Sequence, residues 1–196
     1  MGLFRWINTG WSSPGADDFF RFFSAALQLP VTIVLMAIVL LAHLWAGGKF
    51  RRGAALAMVT WPFANALSDV FKAITMGARP CVELAGVKLI NEFDGTLLYL
   101  DSSGTVSAHA ANMAAVATAL TLETKWWGAP WVVFAFFTGL SRIYTGAHYP
   151  SQVLFGWAVG MLCGFVVSRT WRAYRANRGK LKAALAPHPP IQSRID

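Results

Sequence analysis

The 196 residues predict an all-α integral membrane helix bundle, with about five transmembrane helices and an N-terminal interfacial helix. The composition is 56% hydrophobic with a mean hydropathy of +0.47, and only 13% is charged, against about a quarter in soluble domains. Apolar runs close to the roughly 20 residues needed to cross a bilayer recur along the chain, separated by basic or aromatic turns. A helix satisfies its own backbone in lipid, which an isolated strand cannot do. This length makes one domain, 1–170, followed by a basic cytoplasmic tail, 171–196. The formal charge of +8 does not point to nucleic acid, because seven of the 17 basic residues lie at or after Arg169. That distribution fits a tail held near anionic lipid.

From Met1 to Ser24, aromatics mix with charge (Phe4, Arg5, Trp6, Trp11, Asp17, Phe20, Arg21) and no apolar run is long enough to span. The charged, apolar, small order of a cleavable signal is absent, so an interfacial helix is expected. Ala25 to Ala46 is the first expected span, with Pro30 in its first turns. Gly47 to Gly53 reads as a short basic turn. The second span, Ala54 to about Met76, carries Asn65, Ser68, Asp69 and Lys72 at helical spacing, a polar stripe expected to face the bundle interior. Arg79-Pro80 is expected to end it.

Cys81 to Val106, with Glu83, Lys88, Glu92, Asp94 and Asp101, is too polar to span and reads as an extramembrane loop over the site, with room for a short helix. Ser107 to Leu122 is rich in alanine, the composition of a tightly packed helix. Glu123 to Trp127 makes a turn with an aromatic belt. The fourth span runs from Ala129 to Leu140 and on to Arg142. The fifth, Pro150 to Ser168, places Gly156, Gly160 and Gly164 four apart, a seam for close helix packing. Cys81 and Cys163 lack metal or disulfide spacing and read as structural. The end of the tail, with Pro187, Pro189 and Pro190, reads as disordered.

Five spans put Lys49, Arg51, Arg52, Lys125 and the tail on one side, eleven basic residues against six on the other. By the positive-inside rule the first side, with the C-terminus, is cytoplasmic. Three stretches then converge at the outer face: Lys72 to Pro80, Ser107-Ala108-His109, and Ser141 to Gln152. Lys72, Arg79 and Arg142 supply positive charge, and an arginine fork matches two phosphate oxygens. Ser107 offers a hydroxyl, and the helix start at Ala108 offers free N–H groups and a positive dipole end. This is an anion cradle without metal or cofactor, since neither carboxylate nor His/Cys spacing suits a metal.

Two histidines remain for bond-making. One can attack phosphorus while the other protonates the leaving oxygen and later activates water. Gln152 lies four residues after His148, placed to orient it. Singly, each residue has a plainer explanation: Lys72 as a snorkelling side chain, Arg79 and Arg142 as juxtamembrane anchors, and His109 as a packing residue. Their order and shared side favour the site. His43 and His188 fall outside it, Asp69 is either a partner of Lys72 or a packing acid, and Asp101 is placed to reach in from the loop.

These residues resemble the type 2 phosphatidic acid phosphatase superfamily, whose motifs are KxxxxxxRP, PSGH and SRxxxxxHxxxD. The first is complete as Lys72 through Arg79-Pro80; the second reads Val106-Ser107-Ala108-His109; the third is Ser141-Arg142, then His148, with Gln152 in place of aspartate. The resemblance covers about Lys72 to Gln152. It implies that His148 is the nucleophile, His109 the acid/base, and Lys72, Arg79, Ser107, Ala108 and Arg142 the phosphate ligands. Members commonly have six spans, so the N-terminal segment would stand in for one here. Glutamine also resembles the residue at this place in glucose-6-phosphatase, and Gln152→Asp is expected to keep comparable turnover.

The expected function is a metal-independent lipid phosphatase acting through a phosphohistidine on the outer face of a cytoplasmic (inner) membrane. Undecaprenyl diphosphate is the first expected substrate, ahead of phosphatidic acid, phosphatidylglycerol phosphate and lipid A phosphates. The rivals are a lipid phosphotransferase and a non-enzymatic lipid-binding or transport protein.

Overall fold

The structure is a computed structural model that describes residues 2–26, 29–90 and 103–185. Among the described residues, eight α-helices follow in order: α1 (Gly2–Asn8), α2 (Pro14–Ala25), α3 (Pro30–Ala46), α4 (Gly48–Ile74), α5 (Pro80–Glu83), α6 (Ala108–Thr124), α7 (Ala129–Tyr144) and α8 (Pro150–Ala184), with a 3₁₀ turn at Lys125–Gly128. The all-helical class is as expected. The small-residue helix α6 is central and packs against α4, α7 and α8. Its Ala110, Ala111, Ala115 and Ala119 are fully buried. The glycine seam of α8 lies directly on it: a Cβ at Gly160 would stand 2.0 Å from the Ala111 carbonyl oxygen, and one at Gly156 2.6 Å from that of Ser107. Only the missing side chains allow this approach.

Large apolar side chains cover the outward faces of α3, α4, α7 and α8, among them Val34, Ile38, Phe63, Phe136, Leu162 and Phe165. Exposure on this scale asks for an apolar solvent. Among the described residues, by length and composition, α8 alone is able to cross a membrane, and α2 with α3 pass only as a pair bent by 58°. The expected count of five spans is therefore not reached on that criterion. The reason is partly length: α3, α6 and α7 have 17, 17 and 16 residues, about 25 Å of helix each.

Several boundaries differ from expectation. The N-terminal segment forms two helices, not one, and the first expected span splits, with α2 ending at Ala25 and α3 opening at Pro30. Lys49, Arg51 and Arg52 lie in the first turns of α4 and form no separate turn. Arg51 Nε donates to the Leu44 carbonyl, so this arginine bonds a group at the end of α3 that a turn would have exposed. Pro80 opens α5 and does not close α4, which ends six residues earlier. The polar stripe of α4 divides: Ser68 is buried and bonds back to Ala64, while Asp69 is exposed. Helix α8 continues unbroken through the expected 170/171 boundary to Ala184. Glu92, Asp94, Asp101 and the proline-rich end lie outside the described residues.

Helices α1 and α2 cover the end of the bundle where α7 finishes. Phe4, Ile7 and Phe20 join Ile143, Tyr144 and Val153 in one core cluster. Buried Asn8 donates to the carbonyls of Lys88 and Tyr144, at 2.7 Å each, and accepts from Lys88 N at 2.9 Å. Asp17 receives Lys88 Nζ and the Tyr144 hydroxyl, and these hydrogen bonds hold its carboxyl below the usual range. At the opposite end, Glu123 binds Arg52 at 3.1 Å and Arg172 at 3.0 Å, which brings the start of α4, the end of α6 and the C-terminal part of α8 together.

Candidate active site

The site is assembled at the other end of these helices from two irregular segments and two helix starts. Residues 75–79 and 103–105 are strapped by hydrogen bonds: Ser103 Oγ donates to Thr75 O at 2.7 Å, Gly77 N to Thr105 Oγ1 at 2.9 Å, and Gly104 N to Gly77 O at 2.6 Å. Non-helical backbone at a membrane surface needs such partners. The strap delivers Arg79 to the site and holds Gly104 beside it. A Cβ at Gly104 would lie 2.7 Å from Arg79 Cγ.

His148 is placed by the way α7 ends. Gly146 has φ +81°; Ala147 N bonds Arg142 O and Gly146 N bonds Ile143 O, both at 3.1 Å. That is the Schellman pattern, with glycine in the left-handed position it requires. His148 N adds a third bond to Arg142 O at 2.9 Å. Three residues set the turn, and α8 starts two residues later, at Pro150.

The His148 ring is buried and bonded on both sides. Arg79 Nη1 stands 3.1 Å from Nε2, while Nδ1 lies 3.2 Å from Gly104 O and 3.2 Å from Gln152 Oε1. A guanidinium only donates, so Nε2 is the acceptor and Nδ1 carries the hydrogen. Gln152 agrees independently. Its Oε1 accepts from Tyr149 N at 3.0 Å and its Nε2 donates to Ala78 O at 2.8 Å, so two backbone groups fix which way the amide points. Glutamine thus presents the carbonyl that aspartate would present. Burial first, then the charges of Arg79 and Arg142, push the His148 pKa well below its ordinary value. The ring is a neutral base whose free nitrogen faces an arginine.

The other expected residues are distributed around this core. Ser107 is the N-cap of α6, its Oγ accepting from Ala110 N, and its own N–H bonds Gln152 O at 3.2 Å. Ala108 is the first helical residue, with no left-handed angle, so its methyl costs no backbone strain. His109 follows, half-buried, near enough for the charges of Arg142, Lys72 and Arg79 to act on it; it makes no hydrogen bond among the described residues. Arg142 is 2% exposed and donates to Ser24 Oγ at 2.6 Å. Lys72, in the last turn of α4, is held 3.3 Å from Asp69. Direct side-chain hydrogen bonds therefore join Arg79, His148 and Gln152, while the side chains of Lys72 and Arg142 bond Asp69 and Ser24.

Ser24, Gly104 and the Ala78 carbonyl were not legible as site groups. Ser24 sits 118 positions from its partner, and backbone carbonyls leave no mark in a sequence. Gly146 did leave one, a glycine two residues past a helix end.

The model of the PAP2 superfamily matches residues 53–176. The chain belongs to the PAP2 superfamily. Within it, this chain is 36% identical over 63 residues to undecaprenyl-diphosphatase BcrC of Bacillus subtilis (strain 168), a match covering 32% of this chain. The match spans about a third (33%) of that relative's length. Among solved structures, Aquifex aeolicus LpxE superposes with a TM-score of 0.68 at 26% identity, covering 86% of this chain and 93% of the other. The first transmembrane PAP2 type phosphatidylglycerolphosphate phosphatase from Bacillus subtilis superposes at 0.61 and 19% identity, covering 88% and 86%, a likeness of fold. The PAP2 match includes all three motif stretches, from Lys72 to Gln152.

Proposed function

We propose that this chain is a metal-independent lipid phosphatase that works through a phosphohistidine, with undecaprenyl diphosphate as first substrate. The observation that carries it is the doubly determined tautomer of His148: Arg79 on one nitrogen, Gln152 and Gly104 on the other. The Nε2 lone pair attacks phosphorus, the N–P bond forms as the bond to the leaving oxygen breaks, and His109 in its protonated form gives that oxygen a proton. His109, now neutral, takes a proton from water, whose oxygen attacks phosphorus. The N–P bond breaks, and inorganic phosphate leaves with His148 restored. Arg79, Arg142, Lys72, Ser107 and the N–H groups at Ala108 stabilise the charge on the equatorial oxygens.

The substrate preference rests on the similarity to undecaprenyl-diphosphatase BcrC; phosphatidic acid, phosphatidylglycerol phosphate and lipid A phosphates are the alternatives. In this reading α3, α4, α6, α7 and α8 cross a cytoplasmic membrane, with the site outside and the C-terminus in the cytoplasm. The Arg52–Glu123–Arg172 cluster at the end opposite the site supports that orientation.

The test is phosphate release by purified protein in detergent with EDTA, from undecaprenyl diphosphate and phosphatidic acid. Release is expected from the wild type and not from His148→Ala. Release that persists in the variant would overturn the mechanism. Phosphoryl transfer to an added lipid alcohol in place of water would make the protein a phosphotransferase.

A further inference from the structure

Beneath Lys72 a chain of side chains crosses from α4 to α6. Lys72 Nζ lies 3.3 Å from Asp69 Oδ1; Asp69 Oδ2 accepts from Asn65 Nδ2 at 2.9 Å; Asn65 Oδ1 accepts from Asn112 Nδ2 at 3.0 Å. The direction of every link is determined. An ionised carboxylate only accepts, so Asn65 must turn its NH₂ to Asp69 and its oxygen to Asn112, which must then donate. Asn112 is 7% exposed, and its own Oδ1 is buried with no partner among the described residues. It stands one helical turn after His109 on the same face of α6.

We infer that Asp69, held by Asn65 and Asn112, is a positioning residue for Lys72 and ties this phosphate ligand of α4 to the helix that carries Ser107 and His109. A lysine ammonium on a flexible stem is not preorganised by its own geometry, unlike an arginine fork. Lys72 is half-buried at the last turn of its helix, and among the described residues Asp69 is its ion-pair partner. Asp69 is the one carboxylate of α4 and stands one helical turn before Lys72. At the other end of the chain stands the unpaired Asn112 oxygen. A packing role would be served better by leucine, which leaves no orphan acceptor. Its donor group, aimed at Asn65, is what the fold uses.

This role presupposes Lys72 as a phosphate ligand, as proposed above. The measurements are kcat and KM for lipid phosphate release, inhibition by vanadate, and melting temperature, for Asp69→Asn, Asn112→Leu, Lys72→Met and the double variants with Lys72→Met. Asp69→Asn and Asn112→Leu are expected to raise KM and the vanadate inhibition constant on the order of tenfold, the size of one charge-assisted contact. Little change in kcat is expected, as for lost binding common to ground and transition states. In the Lys72→Met background neither should have further effect. Asn112→Leu should melt no lower than wild type.

Unchanged KM in Asp69→Asn alongside a raised KM in Lys72→Met would overturn the relay, as would full additivity with Lys72→Met. If the wild type releases no phosphate, the phosphatase reading fails separately, and vanadate-induced stabilisation becomes the readout. Loss of that stabilisation in both Asp69→Asn and Lys72→Met supports the relay. Loss in Lys72→Met alone, or no stabilisation of the wild type, overturns it.

Discussion

Arg79 donates to the nitrogen of His148 that attacks phosphorus in the proposed mechanism, Nη1 standing 3.1 Å from Nε2. The same guanidinium reaches the carbonyls of Ala147 and Ser103 at 3.2 and 3.3 Å, so it closes the site and fixes the tautomer at once. In the proposed mechanism, a phosphate entering between the two residues takes over the donor and meets the lone pair.

Replacement of Arg79 should therefore harm both binding and nucleophile. Arg79→Lys keeps the charge but loses the fork, and phosphate release should fall by roughly 10²-fold in kcat/KM, comparable to removing one oxyanion donor. Steady-state assays of the two proteins check it; a lysine variant within a factor of two of wild type would show that the fork is not used.

Gln152 makes three contacts, and substitutions separate them. Gln152→Leu removes the acceptor at His148 Nδ1 and should lower turnover by about 10²- to 10⁴-fold, the range spanned by a lost orienting group. Gln152→Asp retains an acceptor for His148 and Tyr149 N but cannot donate to Ala78 O. Turnover within about tenfold of wild type is expected, since one neutral hydrogen bond is worth about 1 kcal/mol. Side-by-side kcat measurements decide; background activity in Gln152→Asp would mean that the bond to Ala78 O, and not orientation of the ring, dominates.

The depressed pKa of His148 has a consequence for stability against pH. In the unfolded chain the imidazole titrates near its reference value of about 6.5, whereas burial and the nearby arginines keep it neutral in the folded protein to lower pH. Between the two values the unfolded state binds more protons, so stability falls as pH drops below about 6.5. Melting temperatures measured from pH 7 down to 5 should decline more steeply for wild type than for His148→Ala. Equal slopes would place the folded pKa near the reference.

Asn8 is the polar pin of the N-terminal helices, with three bonds to backbone groups of Lys88 and Tyr144 and no exposure. Asn8→Leu leaves those groups unpaired in a buried place and should cost about 2–4 kcal/mol. Thermal unfolding in detergent reads the loss. Because Arg142 bonds Ser24 of the same unit, activity should fall with it.

The class of the fold and the identity of the site residues could be read because each leaves a local mark. Apolar runs broken by basic turns announce membrane helices, and an ordered set of Lys72, Arg79, His109, Arg142 and His148 announces anion chemistry. The glycine seam was equally visible, since spacing of four puts Gly156, Gly160 and Gly164 on one face. Helix limits were less legible. Gly47 and Gly48 look like a turn, but α4 starts at Gly48, where the left-handed angles of both glycines redirect the chain within one residue.

What the sequence by itself determined was composition, periodicity and residue type, enough to specify a membrane helix bundle with two histidines among cations. Which groups face each other was decided only in three dimensions. Glutamine at position 152 has two chemically opposite ends, and nothing local says which one meets His148. The carbonyl of Ala78 and the N–H of Tyr149 decide it, one from a strap 74 positions away and one from the start of its own helix. Burial, the Arg142–Ser24 bond and the Asp69–Asn65–Asn112 chain are likewise products of packing between distant segments, because hydrogen-bond direction depends on where a partner stands and not on its place in the chain.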